Sequence, residues 1–181
     1  MSNWQRGDWF DDTTLSWINP SPNIRGLNAA LLYPGVAMLE AEKNYSVGRG
    51  TDAPFEQIGA EWIDGQALAQ NLNGRFIPGI RVYPTRFRPE SSNLEGKELQ
   101  GVRFVITDRN SFDSTRFGIE LAAAIEQFYP GKVDFEKCRF LIGSHEALGQ
   151  LVLGKDASPI WALAQQQAAQ FAERRKPYLL Y

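Results

Sequence analysis

Asn44 to Phe55 reads NYSVGRGTDAPF and gathers residue types that bind anions and hydroxyl groups. Gly48 and Gly50 flank Arg49 and let the backbone turn its N–H groups towards one point, the arrangement that cradles an anion. Arg49 offers a planar fork of donors that matches a carboxylate. Thr51 and Asp52 can accept hydrogen bonds from hydroxyl groups, and Glu40 and Glu56 are close in sequence. A Gly-x-Gly in a loop also serves plain turn geometry. It does not open a dinucleotide site, because no third glycine or helix start follows. On residue types alone, a turn and an anion site both stand.

Other candidates read more simply. His145 is the only histidine, with no cysteine or second histidine to complete a metal site, so a surface or cap role is expected. Cys138, the only cysteine, reads as a semi-buried packing residue and excludes an intrachain disulfide. Asp8, Asp11 and Asp12 lack the spacing and glycine of a calcium loop and predict turn and cap chemistry. Asp108 and Arg109 follow a predicted strand, where a functional loop and an aspartate-held turn are equally good accounts.

The elements that must position these groups fit within 181 residues, an ordinary single domain. Hydrophobic residues at 43% and charged residues at 22% describe a globular chain. A net charge of -2 leaves no basic footprint for nucleic acid. No apolar run reaches the roughly 20 residues of a membrane helix, and the opening MSNWQRGDWFDD lacks a signal core.

Asn23, after the rigid loop INPSPN, is the expected N-cap of a helix from Ile24 to about Leu32, ended by YPG. Val36 to Glu40 predicts a short buried strand. Asp64 caps the helix GQALAQNLN, with Gly74 as its left-handed stop. IRVYPTRFRP predicts a strand whose Pro84 marks a bulge or an edge. Glu98 to Asp108 predicts a more central strand, paired antiparallel with it. Asp113 or Ser114 caps TRFGIELAAAIEQFY, with Phe117, Leu121, Ile125 and Phe128 on one face. KCRFLIG predicts a short strand, and Ser144 opens a short helix ending at Gly154. Ser158 is the expected cap of the last helix, whose stripe is Ile160, Leu163, Ala164, Ala168, Phe171 and Ala172. The fold class is therefore α+β: a small mixed, largely antiparallel sheet with four or five packed helices.

Four stretches in this order, NPSPN (Asn19 to Asn23), LYPG (Leu32 to Gly35), SVGRGTDAPFEQIGAEWID (Ser46 to Asp64) and RRKPYLLY (Arg174 to Tyr181), resemble the C-terminal domain of the exo-β-N-acetylmuramidase family over nearly the whole chain. That resemblance implies one half of a two-domain bacterial glycoside hydrolase that removes N-acetylmuramic acid from non-reducing ends of peptidoglycan fragments. The family's catalytic glutamate lies in a PEHG-type motif of a Rossmann-like N-terminal domain, and this chain contains no PEHG. It implies no catalytic residue, metal or cofactor here, and an isolated chain that is inactive. The implied partners are a muropeptide or peptidoglycan-derived sugar and the N-terminal domain, without nucleic acid or membrane, in the cytoplasm or the periplasm. The substrate-binding residues it implies are Arg49, with the N–H groups around Gly48 and Gly50, for the lactyl carboxylate. Ser46, Thr51 and Asp52 would hold sugar hydroxyls or the acetamido group, and Asn19 and Asn23 a neighbouring wall.

Two rival readings remain at this level. Two of Glu40, Asp52 and Glu56 could form an acid–base pair in this domain alone, which requires a separation of about 5–9.5 Å across a cleft. Alternatively the chain is a non-catalytic carbohydrate-binding or docking module, with exposed tryptophans among Trp4, Trp9, Trp17 and Trp62 stacking on sugars. Core packing explains such tryptophans equally well.

Overall fold

The computed structural model describes residues 5–180; Trp4 lies outside them. A central helix of 15 residues packs against the other helices and a small sheet. Helix α1 spans Leu27–Val36 and is followed by a buried 3-10 turn, Ala37–Leu39. Strand β1 is Gln57–Ala60, helix α2 Gly65–Gly74, strand β2 Ile80–Phe87 and strand β3 Leu99–Ile106. Helix α3 (Ser114–Phe128) precedes the one-turn α4 (Arg139–Ile142), α5 (His145–Val152) and α6 (Ala157–Arg175).

The sheet order is β1-β3-β2 with both pairings antiparallel. The fold is α+β as expected, and among the described residues the sheet has no parallel pair. β3 is central, and Pro84 sits on the edge strand β2, where a missing N–H breaks no ladder. Asn73 of α2 covers part of that edge. Its amide donates to Val82 O (2.7 Å) and its side-chain oxygen accepts from Val82 N (3.0 Å), protecting an otherwise open strand.

Helix α3 is the hub. Phe117, Ile119, Leu121, Ala122 and Ile125 are all buried, while Phe128 is half-exposed at its end. Its cap is Asp113, whose carboxylate accepts from Arg116 N (2.8 Å). Ser114 instead ties α3 to α1, where its hydroxyl accepts from Gly35 N (2.9 Å) and donates to Leu32 O (3.2 Å). This explains why YPG does not end α1. A Cβ on Gly35 would lie 2.1 Å from Ser114 O, and one on Gly118 2.6 Å from Gly35 Cα. The crossing of α1 over α3 is close enough to require both glycines, and that packing carries the helix through Pro34.

Five further expectations are corrected. Asn23 does not cap α1, which begins after Gly26, because Ser21 and Ile24 close a tight turn there. Val36 to Glu40 ends α1 and enters the 3-10 turn; a short apolar run has no period to separate strand from buried helix. Residues of KCRFLIG form α4 after another 3-10 turn, Phe135–Cys138, and end at left-handed Gly143. Asp156, not Ser158, caps α6 by accepting from Ser158 N (2.9 Å). In α2, the cap Asp64 is as expected, but Gly74 is helical and the left-handed residue after it is Phe76, with φ 51°.

The expected stripe of α6 is buried only at its start. Ile160 is fully covered, whereas Phe171 is 54% exposed. Arg75 ties the start of α6 to the hub, bonding Glu120 (2.7 Å) and Asp156 (2.9 Å).

Candidate functional site

Residues 46–56 form a loop pinned to the open edge of β1. Ser46 N donates to Gly59 O (2.9 Å) and Gly59 N to Ser46 O (3.0 Å). Within the loop, the Thr51 hydroxyl donates to Gly48 O (2.6 Å) and accepts from Ala53 N (3.1 Å) and Gln57 Nε2 (3.0 Å). Gly48 N donates to Ser46 Oγ (3.2 Å). Thr51 and the Gly48 N–H therefore build the turn instead of pointing outward.

Gly50 has φ 76°, and a Cβ there would meet Ser91 O at 2.2 Å. It is the point where the β2–β3 connection descends on the loop, and Glu90 N donates to Gly50 O (2.8 Å). This contact creates a cavity of about 220 Å³, lined by Glu40, Ser46, Val47, Arg49, Ser92 and Asn93. Ser92 and Asn93 carry no signal of a site in the sequence, where SNLEGK reads only as a hairpin turn; pairing of β2 with β3 brings it across.

Arg49 borders this cavity with its side chain 35% exposed. Its Nε is in ionic contact with a carboxylate oxygen of Glu40. The guanidinium carbon lies 5.1 Å from the centroid of the Phe55 ring, within cation–π range. Phe55 also takes the edge of Tyr33, centroids 4.8 Å apart at 83°, a favoured geometry. Phe55 itself has φ 63°, a conformation that costs about 1–3 kcal/mol and must be imposed by its surroundings. The terminal nitrogens of Arg49 make no hydrogen bond to the described residues. The arginine is thus held at one nitrogen and one face while its outer donors remain available.

The other expected site residues are dispersed. Asp52 is exposed at the tip of the same loop. Asn19 accepts from Trp17 Nε1 (2.9 Å), and Asn23 sits in the Ser21–Ile24 turn; neither lines the cavity. Their loop still touches the site's loop through Arg25, which donates to Pro22 O (2.8 Å) and Thr51 O (3.3 Å). Of the possible acid–base carboxylates, Glu40 is engaged by Arg49 and Glu56 by Arg103 (3.5 Å).

The simpler readings of the remaining groups agree with the structure. Asp8 and Asp12 accept from Gln5 N and Trp9 N, and Asp11 pairs with Arg109 (2.6 Å). Asp108 accepts from Asn110 N (3.0 Å) and Ser111 Oγ (2.8 Å), holding its turn. Cys138 is buried, and burial pushes its thiol up to about 11. His145 is exposed at the start of α5, and no group of three metal-ligating side chains occurs among the described residues. No described helix is long and apolar enough to cross a membrane. Trp62 stacks on Tyr45 and meets Tyr129 at a tilt of 58°, and Trp17 packs against the core.

Comparison with known proteins agrees with this architecture. The family described as exo-β-N-acetylmuramidase NamZ, C-terminal, matches residues 31–181. The chain is 32% identical to the peptidoglycan β-N-acetylmuramidase NamZ of Bacillus subtilis, over all of this chain and 44% of that protein. Two crystal structures of DUF1343 family proteins from Bacteroides fragilis superpose on it. One has a TM-score of 0.74 at 26% identity, covering 98% of this chain and 48% of its own. The other has a TM-score of 0.62 at 23% identity, covering 90% and 43%, and speaks to the fold alone. The chain spans less than half the length of each. With the family match running from residue 31 to the last residue and the sheet, hub helix and loop in place, this chain belongs to the NamZ C-terminal domain family.

Proposed function

We propose that this chain is the C-terminal half of an exo-acting β-N-acetylmuramidase, and that the loop around Arg49 forms one wall of its sugar pocket. N-acetylmuramic acid differs from N-acetylglucosamine by a lactyl ether ending in a carboxylate. The observation that carries the reading is the state of Arg49: anchored by Glu40 and Phe55, bordering an open cavity, with its terminal nitrogens free of hydrogen bonds to the described residues. A fork fixed in this way binds a carboxylate without ordering a long side chain first.

Other residues take narrower roles. Ser46 lines the cavity and Asp52 is exposed on the same loop, so these two are the hydroxyl and acetamido contacts. Gly48, Gly50 and Thr51 shape the wall. Asn19 and Asn23 belong to an adjoining loop that meets the substrate further from the lactyl group. Proton transfer at the glycosidic bond falls to carboxyl groups of the N-terminal domain, which completes the cleft.

The test is Arg49→Ala in a two-domain member of the family that carries the same arginine. A charge-assisted hydrogen bond contributes about 1.5–3 kcal/mol, so kcat/KM on a muramic-acid-ended glycan falls at least about tenfold. A change within about twofold would remove Arg49 from the site.

A further inference from the structure

We propose that the uncovered half of α6, with the tail after it, is the seat of the N-terminal domain that the longer relatives carry. The surface begins with a stripe. Ile160, Leu163, Ala164, Ala168, Phe171 and Ala172 recur at helical spacing on one face. Ile160 is buried and Ala164 packs against the core, but Ala168 and Phe171 on the same face are exposed. In the tail, Tyr178 is exposed and Leu180 is 92% exposed. An apolar stripe that passes from fully covered Ile160 to exposed Ala168 and Phe171, with Ala172 half-buried, fits a helix with a second neighbour.

The direction of α6 says which neighbour. Its start lies by the C-terminal half of α3: Gln127 Nε2 donates to Lys155 O (3.5 Å), and Arg75 bridges Glu120 and Asp156. Further along, Leu163, Ala164 and Gln167 face Thr115 and Ile119 across a groove of about 210 Å³. α6 therefore runs antiparallel to α3, and Gln167, which donates to Glu146 of α5 (2.9 Å), shares the groove with Thr115 in the first turn of α3. The residues from 168 to 175 carry the helix roughly 12 Å past that point, at 1.5 Å per residue.

The early chain is held at this same end of α3. Arg109 and Asn110, just before the α3 cap, grip Asp11 (2.6 Å) and Trp9 Nε1 (3.1 Å), and the Arg109 guanidinium lies 4.9 Å from the Trp9 ring centroid. The relatives are more than twice as long as this chain, and the matched family is a C-terminal one. Their additional domain therefore enters at the end where α6 is bare. One surface at one end meets the domain that the relatives add. The proposal rests on the two-domain architecture and not on the role of Arg49.

Hydrogen–deuterium exchange tests it, since that readout reports neither sugar binding nor turnover. In a two-domain family member, amides corresponding to residues 168–180 exchange at least tenfold more slowly than in the C-terminal half alone. Phe171→Asp combined with Leu180→Asp restores fast exchange there without altering exchange in α3. Equal exchange with and without the N-terminal domain overturns the proposal. So does light scattering that shows this chain dimerising through the same residues, because a second copy would then be the occupant.

Discussion

Arg49 and Glu40 form an ion pair at the mouth of the site's cavity, and the Phe55 ring supports the guanidinium from the side. Glu40 is thus an internal anion placed where the proposed ligand carries its own. Replacing it tests whether it competes or only orients. Glu40→Gln, in a two-domain family member, removes the competing charge and keeps the side chain's size. A partly exposed pair contributes about 0.2–1 kcal/mol, so KM for an anionic sugar falls about 1.4- to fivefold. A higher KM would show that its anchoring of Arg49 outweighs that competition.

Gly50 carries the second prediction. Gly50→Ala places a methyl group 2.2 Å from Ser91 O and forces a side chain into φ 76°. Strain of this kind costs about 1–3 kcal/mol, and each kcal/mol lowers Tm by about 2–4 °C in a domain of this size. Thermal unfolding followed by circular dichroism reads the shift. An unchanged Tm would mean that the β2–β3 connection moves away freely.

Glu42 predicts a pH dependence. Burial alone would raise its pKa. It is outweighed by hydrogen bonds from Asp134 N (2.9 Å), Lys43 N (2.8 Å) and Asn44 N (3.4 Å), with the Lys137 charge adding to them, so the carboxyl titrates below its usual range. A depressed folded pKa contributes stability that is present above the unfolded value, near 4.5, and lost as pH falls through the folded one. Glu42→Gln therefore destabilises by about 1–3 kcal/mol at pH 7, and denaturant titrations at pH 3 show a smaller difference. A constant difference would contradict the assignment.

Cys138 is predicted to be unreactive in the folded protein. Its thiol rises from 9.0 to about 11, which lowers the thiolate fraction about a hundredfold at pH 8. Alkylation by iodoacetamide runs at least that much slower in the native chain than in urea. Equal rates would place the thiol at the surface.

The parts of this molecule legible from sequence are those governed by local chemistry. Asp64 and Ser144 cap as expected because a capping side chain needs only its own next few residues. The antiparallel pairing of β2 with β3 follows from two strand patterns separated by one turn. The misread parts depend on distant contacts. Pro34 and Gly35 stay helical because Ser114 and Gly118 lie against them. The α6 stripe is apolar in sequence, yet Ala168 and Phe171 in its distal half are left exposed by the described residues. In the site, the Gly48–Arg49–Gly50 turn is visible in the sequence, whereas the Glu40 contact and the wall from Ser92 and Asn93 require the tertiary fold.

The most direct measurement is a cycle between Arg49 and the sugar's carboxylate. In a two-domain family member, kcat/KM is compared for a muramic-acid-ended glycan and for its lactyl amide, each with Arg49 and with Arg49→Ala. If the guanidinium reads the carboxylate, the arginine enzyme prefers the acid at least about tenfold, and the alanine variant loses most of that preference. Equal losses on both substrates would show that Arg49 holds the loop and not the sugar.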